Sequence, residues 1–289
     1  MRRTIASLSV FCLGLTTVLG APLKVASLST ITTDIAQNVG GDLVQIDAIV
    51  KPGIDPHEFQ PTPGDLKKIS NASLVLTTGK GIEGYMDKLG ETTGNKKKFI
   101  DTGKAIPSLR LEEDGKMVDD PHWWHSVSNV KKATVMIRDA FIQADPAHKA
   151  EFEKNAAAYL VKLSALEKWV KEAVAVLPRE KRKLVTSHDA FQYFARDYGF
   201  KIYAIEGVST TDQPSSKKIA NLIATIKAEQ VKAIFFGSIE NPKVSAEITK
   251  ETGAKLGREL YADGLGATKA KTYPEMVKYN VTTIVDSLK

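Results

Sequence analysis

From Leu23 onward the chain alternates short apolar runs with longer stretches whose apolar positions recur every three or four residues. Short apolar runs bounded by polar turns predict strands, and the three-to-four spacing predicts amphipathic helices. Strands are thus expected at Leu23–Leu28, Val44–Val50, Ser73–Thr78 and Lys97–Asp101, separated by helices at Ile31–Gly40, Pro63–Asn71 and Gly81–Thr93. The pattern restarts after Pro178. Strands follow at Lys183–Thr186, Lys201–Ile205, Ala233–Gly237 and Glu259–Ala262, with helices at Ala190–Gly199, Ser215–Gln230, Pro242–Thr252 and Tyr273–Leu288. Strand then helix, repeated, predicts an α/β fold with parallel sheets.

Two segments break this rhythm. Gly103–Ser128 is polar, acidic in places, and shows no clear element, which is long for a connection within a domain and marks a functional loop. Beyond it, a helix at Asn129–Ala144 precedes a very long amphipathic stretch bounded by Pro146 and Pro178. Its apolar residues, from Phe152 through Leu163 to Val176, follow one helix face. At about 1.5 Å per residue, some thirty residues would run past a whole domain, a rigid strut and not a flexible linker. The expected architecture is therefore two lobes, each a four-stranded parallel sheet flanked by helices, connected by one long rigid backbone helix. The N-terminal lobe is placed at 21–145, the linking helix at 146–178 and the C-terminal lobe at 179–289.

Residues 1–20 combine Met1-Arg2-Arg3, an uncharged apolar run and a small-residue exit at Gly20, the pattern of a signal peptide. Cleavage after Gly20 would remove Cys12, the single cysteine, leaving no thiol for disulfides or metal ligation. Phe11 directly before Cys12 is unlike a lipid-acylation site, so a soluble, periplasmic protein is expected. With Arg2 and Arg3 gone the net charge falls by two from +6, to +4, and the lysines are scattered along helices. That is the distribution of solvated faces, not of a nucleic-acid surface. Hydrophobic residues at 43% and charged ones at 26% exclude collagen-like, disordered and disulfide-scaffold classes.

Placing the histidines on this scheme selects a site. His57 lies just past the second strand, His122 beyond the fourth, His188 after Leu184-Val185-Thr186, and Asp263 directly after Leu260-Tyr261-Ala262. Open parallel sheets bind ligands at the carboxyl ends of their strands, and these four residues all fall there, two from each half. Three imidazoles and a carboxylate suit a borderline divalent cation, zinc first and manganese second.

The segments around them carry a resemblance. Pro52-Gly53-Ile54-Asp55-Pro56-His57-Glu58-Phe59, Asp120-Pro121-His122-Trp123-Trp124, Thr186-Ser187-His188-Asp189-Ala190-Phe191 and Leu260-Tyr261-Ala262-Asp263-Gly264-Leu265 resemble the ligand motifs of the zinc/manganese solute-binding proteins of bacterial ABC importers. The resemblance spans nearly the whole chain after the leader. It implies two α/β lobes joined by a long helix, with His57, His122, His188 and Asp263 as metal ligands. It also implies capture of Zn2+, with Mn2+ or iron as alternatives, and delivery to an ABC permease by a protein expected to be monomeric. His188, where manganese receptors often carry Glu, favours the softer ion, zinc.

Other residues stay open. His125, where the family commonly has Leu-Asp-Pro, is either an auxiliary ligand or a loop histidine bonding backbone. Asp55 and Asp189 are supports for the shell or turn residues; Glu58 is a ligand or water-holder or points to solvent; Glu206 and Glu240 are supports or solvated carboxylates. His148 is read as surface, and Trp123 and Trp124 as packing at the cleft or in the core between lobes. The metal-capturing His-rich loop of many zinc receptors is missing before His122. An exported zinc hydrolase is the alternative from another class, but it needs an open coordination position and a general base, and no His-Glu-x-x-His occurs. A surface protein involved in cell adhesion is a third class, for which no residue gives a marker.

Overall fold

The computed structural model describes residues 21–86, 89–90, 98–113, 115–212 and 214–289. The expected signal segment 1–20, with Cys12, lies outside the described residues, as does part of the expected helix Gly81–Thr93. Elements follow the apolar runs. The first half contains β1 (Leu23–Ser27), α1 (Thr30–Gly40), β2 (Val44–Ala48), α2 (Pro63–Asn71), β3 (Leu74–Thr77) and β4 (Phe99–Asp101). Val25 and Ala26 of β1 point to opposite faces and both are fully buried, as a parallel strand covered on both sides requires. The four strands pair in parallel in the order β2-β1-β3-β4.

Helix starts are written locally. Ser29 accepts from Thr32 N at the head of α1 (3.1 Å), and Thr62 with Asp65 closes a reciprocal capping box at α2, with Pro63 in the tolerant first turn.

One expectation about the loop region is corrected. Gly103–Ser128 is not structureless: it holds an antiparallel hairpin, β5 (Arg110–Glu113) and β6 (Lys116–Asp119), turning through Gly115 at φ 77°. A short 3-10 turn, Trp123–His125, then leads into α3 (Val127–Ala144). One face carries a single half-buried apolar pair, Leu111 with Val118, and on the other face Met117 is exposed, so too few apolar positions alternate to announce it.

The strut is α4 (Lys149–Ala175), 27 residues, or about 40 Å at 1.5 Å per residue. Phe152, Ala156, Tyr159, Leu163, Leu166, Val170 and Val174 form its buried stripe; Val176 falls beyond its end and is exposed. Pro146 starts a separate 3-10 turn, and not α4 itself. Buried residues of α4, Trp123, Trp124 and residues of both halves belong to one continuous apolar cluster.

The second half contains β7 (Lys183–Thr186), α5 (Gln192–Tyr198), β8 (Lys201–Ala204), α6 (Ser216–Ala228), β9 (Ala233–Ile234), α7 (Lys243–Thr252), β10 (Lys255–Leu256) and α8 (Tyr273–Leu288). Its sheet is again parallel, in the order β10-β9-β7-β8. The fourth strand is Lys255–Leu256, not the expected Glu259–Ala262, of which Leu260 makes only an isolated bridge to Gly237. Leu260 N donates to Phe236 O and Ser238 N donates to Leu260 O (both 2.8 Å), and on the opposite edge Tyr261 N donates to Asn280 Oδ1 (2.9 Å) while Asn280 Nδ2 donates to Tyr261 O (2.8 Å). A side chain of α8 thus takes the place of a neighbouring strand.

Asp34 pins three helices together. Its Oδ2 accepts from Tyr159 Oη of α4 (3.0 Å) and from Tyr273 N at the head of α8 (3.3 Å). Burial pushes its carboxyl above the usual range, against the lowering effect of those two bonds. Asp34→Ala is expected to lower the unfolding free energy by about 1–3 kcal/mol, because the Tyr159 hydroxyl and the Tyr273 N–H lose their acceptor. Denaturant unfolding measures this, and an unchanged midpoint would contradict the pin.

Candidate metal centre

The loops that follow β2, β6, β7 and the Leu260 bridge converge where the two sheets face each other. There His57, His122, His188 and Asp263 meet, with one potential ligand atom from each lying within 4.8 Å of the others. Asp263 Oδ1 is 3.3 Å from His57 Nε2, 3.4 Å from His122 Nε2 and 3.1 Å from His188 Nε2. His57 Nε2 and His122 Nε2 are 3.3 Å apart. His122, His188 and Asp263 are buried; His57 lines an open cleft of about 730 Å³ that Lys80, Arg110 and Val208 also border.

Each ring is aimed by residues around it. Asp55 Oδ1 accepts from His57 N (2.8 Å), and Asp120 Oδ1 accepts from His122 N (2.9 Å). The tripeptide Asp-Pro-His thus forms the same Asx turn twice, once per ligand loop. Asp120 Oδ1 also lies 2.9 Å from His122 Nδ1, and Glu240 Oε1 lies 2.7 Å from His188 Nδ1. Since a carboxylate only accepts, both rings donate from Nδ1 and turn Nε2 to the centre, where loss of its proton would free the lone pair for an ion, the arrangement of carboxylate-backed metal ligands.

Asp263 is held on both sides. Trp124 Nε1 and His125 Nε2 both donate to Ala262 O at 2.8 Å, and Leu265 N donates to Thr30 Oγ1 at 2.8 Å. Between them, Gly264 lets Thr30 approach: a Cβ at 264 would fall 2.6 Å from Thr30 Oγ1. Tyr273 Oη, in turn, donates to Trp124 O (2.7 Å), and Trp123 Nε1 donates to Thr78 O (3.0 Å). Trp123 and Trp124 are therefore both core between the halves and a wall of the site.

The charges are strongly coupled. Burial would raise the Asp263 carboxyl, but the His188 charge and hydrogen bonds from His122, His188 and His57 hold it well below the usual range. Burial pulls His188 down, yet Asp263 and Glu240 outweigh it and leave this imidazole well above its ordinary value. His122 is raised in the same way, burial being overcome by Asp120 and Asp263. Asp263 Oδ2 is buried with no hydrogen-bond partner among the described residues, an acceptor that a cation would satisfy.

His125 does not join the cluster. Its Nε2 is spent on Ala262 O and its ring stacks on Phe191, with centroids 4.2 Å apart. Asp189 accepts from the Gln192 side chain at the start of α5 (2.9 Å), Glu58 is exposed, and His148 pairs with Asp145 (2.6 Å) away from the site. Glu206 is half-buried near Glu240, and burial followed by that neighbour's charge pushes it up to about 7. Sequence reasoning left Asp120 and Thr30 without a role. The doubled Asp-Pro-His was a legible signal for the first; nothing in the sequence pairs Thr30 with Leu265.

Two α/β lobes, a connecting helix and a largely buried His3Asp cluster define a solute receptor whose cargo is a metal ion. Residues 25–287 match the family described as "ZnuA: Zinc-uptake complex component A periplasmic", and the chain belongs to that family. It is similar to the manganese-binding lipoprotein MntA of Bacillus subtilis, 34% identical over 92% of this chain and 90% of the relative. It is also similar to the iron-binding protein YfeA of Yersinia pestis, 35% identical over 90% of this chain and 85% of that one. Among solved structures, the periplasmic zinc-binding protein TroA from Treponema pallidum superposes with a TM-score of 0.86. That pair is 30% identical and covers 93% of this chain and 99% of the other. The chain is thus a metal-binding substrate receptor of ABC importers and not an enzyme; the hydrolase alternative finds no support. No helix among the described residues is long and apolar enough to cross a membrane.

Burial, with the His122 charge behind it, pushes the His125 imidazole down to about 3, so it stays neutral in the folded protein. The unfolded chain binds a proton there below about 6.5, which the folded chain refuses, so His125 withdraws stability as pH falls. His125→Gln keeps a donor for Ala262 O without a titrating ring. Its stability is expected to decline less steeply than wild type between about pH 6.5 and 4, read by denaturant unfolding; parallel curves would contradict the assignment.

Proposed function

We propose that His57, His122, His188 and Asp263 ligate the cargo and that zinc is the ion this receptor captures for its permease. The observation that carries this reading is the spacing of the donor atoms. A tetrahedral shell with bonds of about 2.0 Å has edges of about 3.3 Å. Four of the six edges, at 3.1, 3.3, 3.3 and 3.4 Å, agree with it, and all six lie within 4.8 Å. Three imidazoles also form a softer set than manganese sites prefer. In this reading 1–20 directs export to the periplasm, 21–145 and 179–289 are the lobes, 146–178 is the strut, and the receptor works as a monomer. The ion enters from the cleft side, past His57, the least buried of the four.

Manganese is the second reading. The buried, unpartnered Asp263 Oδ2 supports it, because a carboxylate binding through both oxygens makes the five-coordinate shell that a larger ion accepts. The similarity to relatives named for manganese and for iron points the same way. Metal analysis of untagged protein, followed by Zn2+/Mn2+ competition titration, decides between them: Zn2+ is expected to displace Mn2+, and the reverse order would overturn the zinc reading.

His57→Ala and His188→Ala are each expected to weaken Zn2+ binding by orders of magnitude in the same titration; unchanged affinity would overturn the ligand set. Binding must also release protons. His188 and His122 hold theirs above the ordinary imidazole value in the metal-free protein, so protons compete with the ion increasingly as pH falls. Affinity is expected to begin dropping above about pH 6.5 and to fall steadily toward pH 5. A flat profile from about pH 8 to 5 would contradict three histidine ligands.

A further inference from the structure

After β9 the chain turns tightly. Glu240 N donates to Gly237 O (3.0 Å), and Gly237 N donates to Ser187 Oγ (3.1 Å), the residue beside His188. The turn is thereby tied to the loop it serves, and it returns Glu240 Oε1 to 2.7 Å from His188 Nδ1. The space for that carboxylate exists because position 237 has no side chain. A Cβ there would fall 2.3 Å from Glu240 Oε1 and 2.8 Å from its Cδ.

The backbone gives no other reason for glycine. Gly237 is not among the residues in the left-handed region, so any L residue could adopt its conformation. The nearest atoms a Cβ would meet belong to the end of a flexible side chain, which can swing away, and not to backbone. An alanine at 237 would therefore leave the fold in place and evict the carboxylate.

We propose that Gly237 and Glu240 act as one positioning unit that sets metal affinity through His188. Gly237 keeps the space open. Glu240 fixes the ring with Nε2 toward the centre and, by accepting the Nδ1 proton, makes the imidazole a stronger donor to the ion. Asp120 does this for His122 from two residues away, within its own turn. Glu240 comes from 52 residues away and depends on the geometry of a separate loop. A single methyl group at 237 would thus switch the unit off without touching a ligand. The inference rests on His188 being a ligand.

The test uses the full chain and Zn2+ competition titration of Gly237→Ala, Glu240→Gln, the double variant and His188→Ala. Metal-free thermal unfolding and the visible spectrum of bound Co2+ are recorded for each. Gly237→Ala and Glu240→Gln are each expected to weaken binding about 10- to 100-fold, and the double variant no more than the weaker single. Their metal-free midpoints should match each other, since both lose the same Glu240–His188 contact, and the Co2+ spectrum should keep its four-coordinate form because His188 still binds. Wild-type affinity in Gly237→Ala or in Glu240→Gln would overturn the proposal, as would losses that add in the double variant. A metal-free midpoint lower in Gly237→Ala than in Glu240→Gln would overturn it too, since the glycine would then serve the fold beyond housing the carboxylate. His188→Ala separates the two levels. If it binds as wild type, the ligand set itself falls; if it loses orders of magnitude while Glu240→Gln does not, only the positioning unit falls.

Discussion

One buried carboxylate oxygen organises this molecule. Asp263 Oδ1 lies within 3.4 Å of three imidazole nitrogens that come from both halves of the chain. A carboxylate taken out of water at that depth is costly unless it is charge-paired and hydrogen-bonded. Without an ion the three rings and their protons supply that pairing, which is why His188 is raised and Asp263 lowered together. A divalent cation replaces the protons with two full charges at shorter range, so the same desolvated pocket that makes the apo cluster strained for charge makes it selective for a cation.

The rest of the structure holds that oxygen still. Ala262 O takes hydrogen bonds from Trp124 and His125, and Leu265 N is bonded to Thr30, so the segment carrying Asp263 is clamped by residues of the other half. The two tryptophans and the stripe of α4 belong to one apolar cluster. Asp34 ties α1, α4 and α8 on the far side. Ligand positions are therefore set by packed, hydrogen-bonded elements, and the one ligand that reaches the open cleft, His57, sits on a short Asx turn. Such a division suits a receptor, which must hold an ion firmly and still let it pass in and out along one path.

His125 shows how a plausible ligand can be turned to another use. It stands three residues from His122 and has the right chemistry, yet its ring is stacked on Phe191 and its Nε2–H is committed to a carbonyl. The carbonyl it holds belongs to the residue before Asp263. It thus acts on the site through the backbone of a ligand and not through the ion.

Much was legible in the residues themselves. Parallel sheets, the long helix and the four converging side chains follow from local periodicity and from the rule that parallel strands present ligands at their carboxyl ends, and the motifs around His57, His122, His188 and Asp263 carry the family. Strand β10 and the polar hairpin were not legible. The first depends on where the returning chain meets the edge of β9, Lys255 N reaching Lys232 O and Gly257 N reaching Ile234 O, and the second has a single apolar cross-strand pair, Leu111 with Val118, too little to give it a period. The partners of the ligands divide in the same way. Asp120 stands two residues from its histidine, so sequence proximity alone brings them together. Glu240, Thr30 and the missing Cβ at Gly237 act across 52 or more residues, or only through space, and such pairings exist only once packing has closed the chain on itself.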